Sequence, residues 1–119
     1  MARYSCSFNM PGPLDHLVPM LGEVLRSCNF EIIYDTGDYM MGREIPGRVS
    51  FAKLVTVEAL IDRSRATNQG VNMNFVIKNE ELPLQTQNHC REMFDQVTEA
   101  IESQTQGKLR KTADPTRQV

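Results

Sequence analysis

The sequence predicts one α+β domain: an antiparallel sheet of about five strands, in the order β-α-β-β-β-β-α, with two helices on one face. Three observations predict it. Residues 3–10 and 71–77 alternate between apolar and polar side chains, the period-2 pattern of half-buried strands. Two segments, opening near Leu14 and near Leu82, repeat apolar residues at helical spacing. Clusters of Gly, Pro, Asp and Asn punctuate the shorter β-prone runs. A chain of 119 residues has room for one core.

In the first strand Tyr4, Cys6, Phe8 and Met10 share one side and Arg3, Ser5, Ser7 and Asn9 the other. Pro11, Gly12 and Pro13 break the pattern. Leu14, Leu17, Val18, Leu21, Val24, Leu25 and Cys28 then form a helical stripe. With Asp15 as N-cap, Pro19 falls near the first turn, where its missing N–H costs least, and a kink is expected there. Asn29 suits the left-handed residue that ends a helix, with Phe30 folding back as its apolar contact. Residues 30–34 and 39–45 flank Asp35, Thr36, Gly37 and Asp38 and read as a hairpin.

Further along, Val49, Phe51, Val55, Val57, Ala59 and Ile61 are expected on one face of a long strand, followed by a polar loop over residues 64–70. Val71, Met73, Phe75 and Ile77 give the core face of the fifth strand. Leu82 and Pro83 are expected to open the last helix, whose buried stripe is Cys90, Met93, Phe94, Val97 and Ile101. The domain is thus predicted over residues 1–104, with residues 105–119 as a flexible polar and basic tail. This element order resembles the TBP-like or helix-grip topology, a shape that serves very different functions and implies no activity.

The charge is unevenly spread. Net charge is −2, but Lys108, Arg110, Lys111 and Arg117 against Asp114 give the last twelve residues +3, which leaves −5 for the remaining 107. An acidic body argues against dedicated nucleic-acid binding. The three cysteines are odd in number and widely spaced, with no zinc pattern, and no apolar run approaches a membrane span. Both features point to a cytoplasmic protein with no transmembrane segment.

Candidate chemistry is sparse. Ile32-Ile33-Tyr34-Asp35-Thr36-Gly37 resembles the active-site segment of retroviral-type aspartic proteases, but those need two close aspartates, a flap and a mainly β fold. Turn chemistry accounts for the string. His16 and His89 lack a metal-ligand spacing, and His89 and Cys90 are adjacent on a helix, about 100° apart, so they do not form a base and nucleophile. Neither a glycine-rich phosphate loop nor another cofactor motif is present, so no cofactor and no catalytic or metal residues are expected.

The segments Ser27-Cys28-Asn29-Phe30, Ile33-Tyr34-Asp35-Thr36-Gly37-Asp38-Tyr39, Phe51-Ala52-Lys53-Leu54-Val55-Thr56-Val57-Glu58 and Lys78-Asn79-Glu80-Glu81-Leu82-Pro83-Leu84 resemble a group of short, uncharacterised cyanobacterial proteins over residues 1–104. That resemblance implies a cytosolic protein of a photosynthetic cell and no activity.

The expectation is a non-catalytic protein-binding, assembly or regulatory module, with a homodimer as one form of partnership. Arg43, Arg48, Arg63, Arg65, Lys108, Arg110 and Lys111 are its candidate partner-binding residues. The alternative is a small-ligand-binding, helix-grip-like domain with an apolar cavity between sheet and last helix, lined by Met41, Met73, Phe75, Cys90 and Phe94.

Overall fold

In a computed structural model the chain is described at residues 1–10, 14–67, 70–82, 88–105 and 110–113. The strands are β1 (Ala2–Met10), β2 (Phe30–Asp35), β3 (Tyr39–Glu44), β4 (Thr56–Thr67), β5 (Gly70–Asn79) and β6 (Arg110–Ala113), and the helices are α1 (Leu14–Ser27) and α2 (His89–Thr105). All pairings are antiparallel, in the order β2-β3-β4-β5-β1-β6. The predicted α+β class, the five strands and both helices are present. Both helices lie on one face of the sheet: α1 packs on β2, α2 on β1 and β5, and the helices touch each other.

The core follows from strand parity. Tyr4, Cys6, Phe8 and Met10 of β1, and Val71, Met73, Phe75 and Ile77 of β5, point at the helices and are buried. Phe8 stacks on Phe75 at 5.4 Å, and Phe75 meets Phe94 of α2 at 5.5 Å, joining the two layers. Leu17, Leu21, Val24 and Leu25 of α1, and Cys90, Met93, Phe94, Val97 and Ile101 of α2, fill the remainder. Pro19 lies inside α1, in its second turn. Asn29 takes φ 74° just past α1, and Gly37 takes φ 93° in the β2–β3 turn, the two positive values that the helix end and the hairpin require. Asn29 also ties α1 to the end of β3: its carbonyl accepts Ile45 N–H at 2.9 Å.

Four expectations are corrected. Val49 and Phe51 are not on the long strand: residues Phe51–Lys53 form a 3-10 turn, Phe51 is 81% exposed, and β4 begins only at Thr56. The polar run after Arg63 continues β4 to Thr67, opposite Gly70, instead of looping out. Cross-strand pairing of polar residues at the far end of a hairpin leaves no apolar period to read. The last helix begins at His89 instead of Leu82, and residues 83–87 lie outside the described residues. Finally, the segment expected to be a flexible tail contributes β6, which pairs with Cys6–Asn9 along the outer edge of β1 and makes the sheet six-stranded. Residues 106–109 and 114–119 lie outside the described residues.

Gly42 shows how tightly β3 is held. It lies on the core side between Met40 and Glu44, and an added Cβ would sit 3.0 Å from Val57 Cγ1 and 3.4 Å from the Glu31 carbonyl oxygen. Gly42→Val therefore is expected to destabilise the fold by about 1–3 kcal/mol through overpacking. Urea unfolding checks it, and an unchanged midpoint would contradict the packing described for β3.

Candidate functional site

Two places gather the chemistry-bearing side chains: a buried polar cluster where α2 begins, and the face of the sheet turned away from the helices.

The buried cluster starts from strand parity. In β3 the core side carries Met40, Gly42 and then Glu44, whose side chain is 0% exposed. A buried carboxylate is tolerable only when its oxygens meet donors. His89, the first residue of α2, supplies one: its Nε2 lies 2.8 and 2.9 Å from the two Glu44 oxygens, so that nitrogen carries the proton and donates. Val55 N–H donates to Glu44 Oε1 at 3.1 Å.

A second carboxylate, Glu81, is also buried. It accepts from Asn79 Nδ2 at 2.6 Å, from His89 N–H at 3.1 Å and from Cys90 N–H at 2.9 Å. Glu81 thereby answers two orphan donors of the first turn of α2, with its charge at the positive end of the helix dipole. Asn88 caps the same turn, its Oδ1 accepting Arg91 N–H at 2.9 Å. Asn79 closes the network by donating to the Lys53 carbonyl at 2.9 Å. Burial by itself would raise the Glu81 carboxyl, but the bonds from Asn79, His89 and Cys90 together hold it below its ordinary value.

The set contains a carboxylate, a histidine and a cysteine, the ingredients of nucleophilic catalysis. Their arrangement does not activate the thiol. Burial, then the Glu81 charge, pushes Cys90 up to about 12, and its Sγ points at the Ile77 and Ala2 carbonyls at 3.5 and 3.8 Å. Among the described residues no group of three or more His, Cys, Asp or Glu could hold a metal ion. The cluster anchors the helix.

On the opposite side of the sheet the register sets out rows of side chains. One row runs Met41, Glu58, Val76, Ser5; the next Tyr39, Leu60, Asn74, Ser7. Toward one end lies Glu31, Arg43, Thr56, Lys78, Arg3, and toward the other Asp62, Asn72, Asn9. Tyr34 of β2 pairs with Met41 and sets its ring 5.8 Å from Tyr39, edge to face. Leu60 is 53% exposed and Tyr34 56%. Glu58 and Lys78 form an ion pair at 3.3 Å, and Ser7 donates its hydroxyl to Asn74 Oδ1. Partial burial, then the Glu58 carboxylate, raise the Tyr39 phenol, which keeps it neutral.

Of the seven basic residues expected to bind a partner, six fall among the described residues, in β3, the loop after it, β4 and β6. Arg43 pairs with Thr56, and Arg48 lies in the loop beyond β3, both exposed. Arg63 and Arg65 stand toward the other end of β4, and Arg63 is about 23 Å along the strand from Thr56. Arg110 and Lys111 are in β6, opposite Asn9 and Phe8, and Lys108 lies outside the described residues.

The expected cavity set is also divided. Met73, Phe75, Cys90 and Phe94 are packed in the core at 1% exposure or less, whereas Met41 faces away from it beside Glu58. Adjacent methionines on a pleated strand point to opposite sides, and Met40 is the one inside. An open depression of about 610 Å³ lies elsewhere, against the loop of Pro46, Gly47, Arg48, Val49, Ser50 and Phe51. Sequence reasoning missed Glu44 and Glu81. The signal for Glu44 was a charged residue in the core phase of β3.

Comparison with protein-family models and with curated proteins finds no match.

Removing the His89 imidazole leaves a buried carboxylate short of a donor. His89→Ala is expected to cost about 3 kcal/mol, at the low end for a broken buried pair because the His89 side chain is 14% exposed and admits water. A melting-temperature loss no larger than that of an exposed helix substitution would show the pair to be inert.

Glu81 gives a pH signature. Its folded carboxyl titrates below its unfolded value, near 4.5, so its stabilising effect is complete above that value and is lost as pH falls through the folded one. Urea midpoints measured from pH 7 to pH 3 are expected to fall less steeply in Glu81→Gln than in the native chain. Parallel slopes would refute this assignment.

Proposed function

We propose that the chain is a non-catalytic protein-binding module of the cytoplasm that docks its partner on the open face of the sheet. The single observation that carries this reading is the contiguous set of Tyr34, Tyr39, Met41 and Leu60 on a face that neither helix covers. Scattered surface apolar residues are ordinary, whereas a contiguous aromatic and aliphatic set on a flat face is the usual mark of an interaction surface. Arg43, one of the basic residues expected to meet a partner, borders the same set.

Other features support the reading. The groups with reactive chemistry are committed to anchoring α2, with the Cys90 thiol held protonated. The four core-facing members of the expected ligand cavity are packed against protein. Three free, buried cysteines suit a reducing compartment, and among the described residues no helix is long and apolar enough to cross a membrane.

Chemical cross-linking of the tagged chain in an extract of its source cells tests this. The native chain is expected to give a discrete protein adduct that the double variant Tyr34→Asp/Leu60→Asp loses while keeping its far-UV spectrum. An adduct formed equally by the variant, or none from the native chain, would sink the reading.

A further inference from the structure

We propose that the occupant of the open sheet face is a second copy of this chain, joined face to face about a two-fold axis that lies in the interface and runs perpendicular to the strands. The inference rests on the binding-module reading above and names its partner.

The first argument is charge. The chain outside its last twelve residues carries −5, so two copies repel over most of their surfaces. The open face is different, with cations Arg3, Arg43 and Lys78 balanced by anions Glu31, Glu58 and Asp62. Nor are those charges evenly placed. Arg43, Lys78 and Arg3, with Glu31 at the β2 end, occupy the row at Thr56, which is cationic on balance, and Asp62 lies six residues along β4. An axis perpendicular to the strands reverses the ends, so it sets the cationic row of one copy over the Asp62 row of the other. An axis parallel to the strands would instead stack the cationic rows on each other. Isologous contact thus has one favourable orientation.

The second argument is area. Six strands about 4.8 Å apart, with the central ones about 20–30 Å long, present roughly 600–800 Å² per copy. That matches the roughly 800 Å² per partner of a standard stable interface. The middle of this area is Tyr39, Leu60, Met41 and Val76 with Glu58 and Asn74 among them, and Ser7, Asn9 and Asn72 lie beyond. Short rim side chains let two sheets approach to about 10 Å.

The third argument removes the competing mode, edge-to-edge pairing. At one edge stands β6, a basic strand of only 4 residues, too short to template a stable pairing. At the other, pairing β2 with itself about Ile33 would set Glu31 of one copy against Asp35 of the next, a like-charge contact across strands.

Sedimentation equilibrium at about 100 μM, well above the micromolar limit of weak interfaces of this area, tests the proposal. The native chain is expected at twice its 13.5 kDa. Leu60→Glu is expected at the single-chain mass with an unchanged circular-dichroism spectrum. Asp62→Arg is expected to weaken association at least about tenfold by setting like charges over each other. Phe51→Ser, in the exposed loop off this face, is expected to remain dimeric. A dimer that survives Leu60→Glu overturns this inference, and an adduct with a different protein that also survives it overturns the open-face reading as well. A native chain that stays monomeric, while its cross-linked adduct with a different protein still depends on Leu60, overturns the dimer and leaves the open-face reading standing. An Asp62→Arg chain that associates as tightly as the native one overturns the proposed axis.

Discussion

Two buried carboxylates decide where the second helix begins, and the relation between the two layers follows from that point. An ionised carboxylate taken out of water is tolerated only if donors surround it, and beside Val55 N–H for Glu44 and Asn79 Nδ2 for Glu81 both draw donors from one shared place, the first turn of α2. His89 serves both, with its ring on Glu44 and its backbone N–H on Glu81. The start of α2 is therefore pinned to the end of β3 and to the residue two past β5. Once it is pinned, the spacing of Cys90, Phe94, Val97 and Ile101 brings the apolar stripe of α2 over β1 and β5. An apolar contact there would hold the helix without fixing its register. Charged hydrogen bonds are directional, so they also fix how far the helix is slid and turned.

Much of the fold was legible because it is local. Alternation in β1 and β5, the stripe of α1 and the turn at Gly37 each depend on neighbours a few residues away, and each stands where the periods set it. Most of the misreadings come from interactions between residues far apart in sequence, the rest from local irregularities that carry no periodic signal. Glu44 and His89 are 45 residues apart, and neither looks unusual alone. Phe51 reads as a core residue by type but belongs to a 3-10 turn that leaves it in water. The polar end of β4 becomes a strand because β5 returns alongside it, and β6 exists because β1 offers an unpaired edge. Of the candidate site, the short polar side chains of the open face were readable. Its aromatic corner was not, because a bulge between Ile32 and Tyr34 changes the side on which Tyr34 emerges.

That bulge ties the buried layer to the exposed one. Phe30 at the start of β2 is buried against the core, and strict alternation would send Tyr34 to the same side. The register shift turns it outward, beside Met41 and within ring contact of Tyr39. The irregularity is local, since β3 pairs with β4 without a break over Tyr39–Arg43. An edge strand that twists at a bulge is also a poor template for pairing with another edge. One departure from regular geometry thus extends the apolar set on the face while it protects the edge next to it.

The weight of the open face lies in contiguity more than in any one side chain. A sheet face meant only for water could place Lys, Glu or Thr at every outward position, and most outward positions here are of that kind: Arg43, Thr56, Glu58, Asp62, Asn72, Asn74 and Lys78. Leu60 interrupts them at the centre of β4, directly opposite Tyr39 and one row from Met41 and Val76. Glu58 and Lys78, the long charged chains nearest to it, are held to each other and not spread over the apolar surface. Leu60 and Tyr34 are left more than half exposed, while the charges around them are arranged in rows that a facing surface can match.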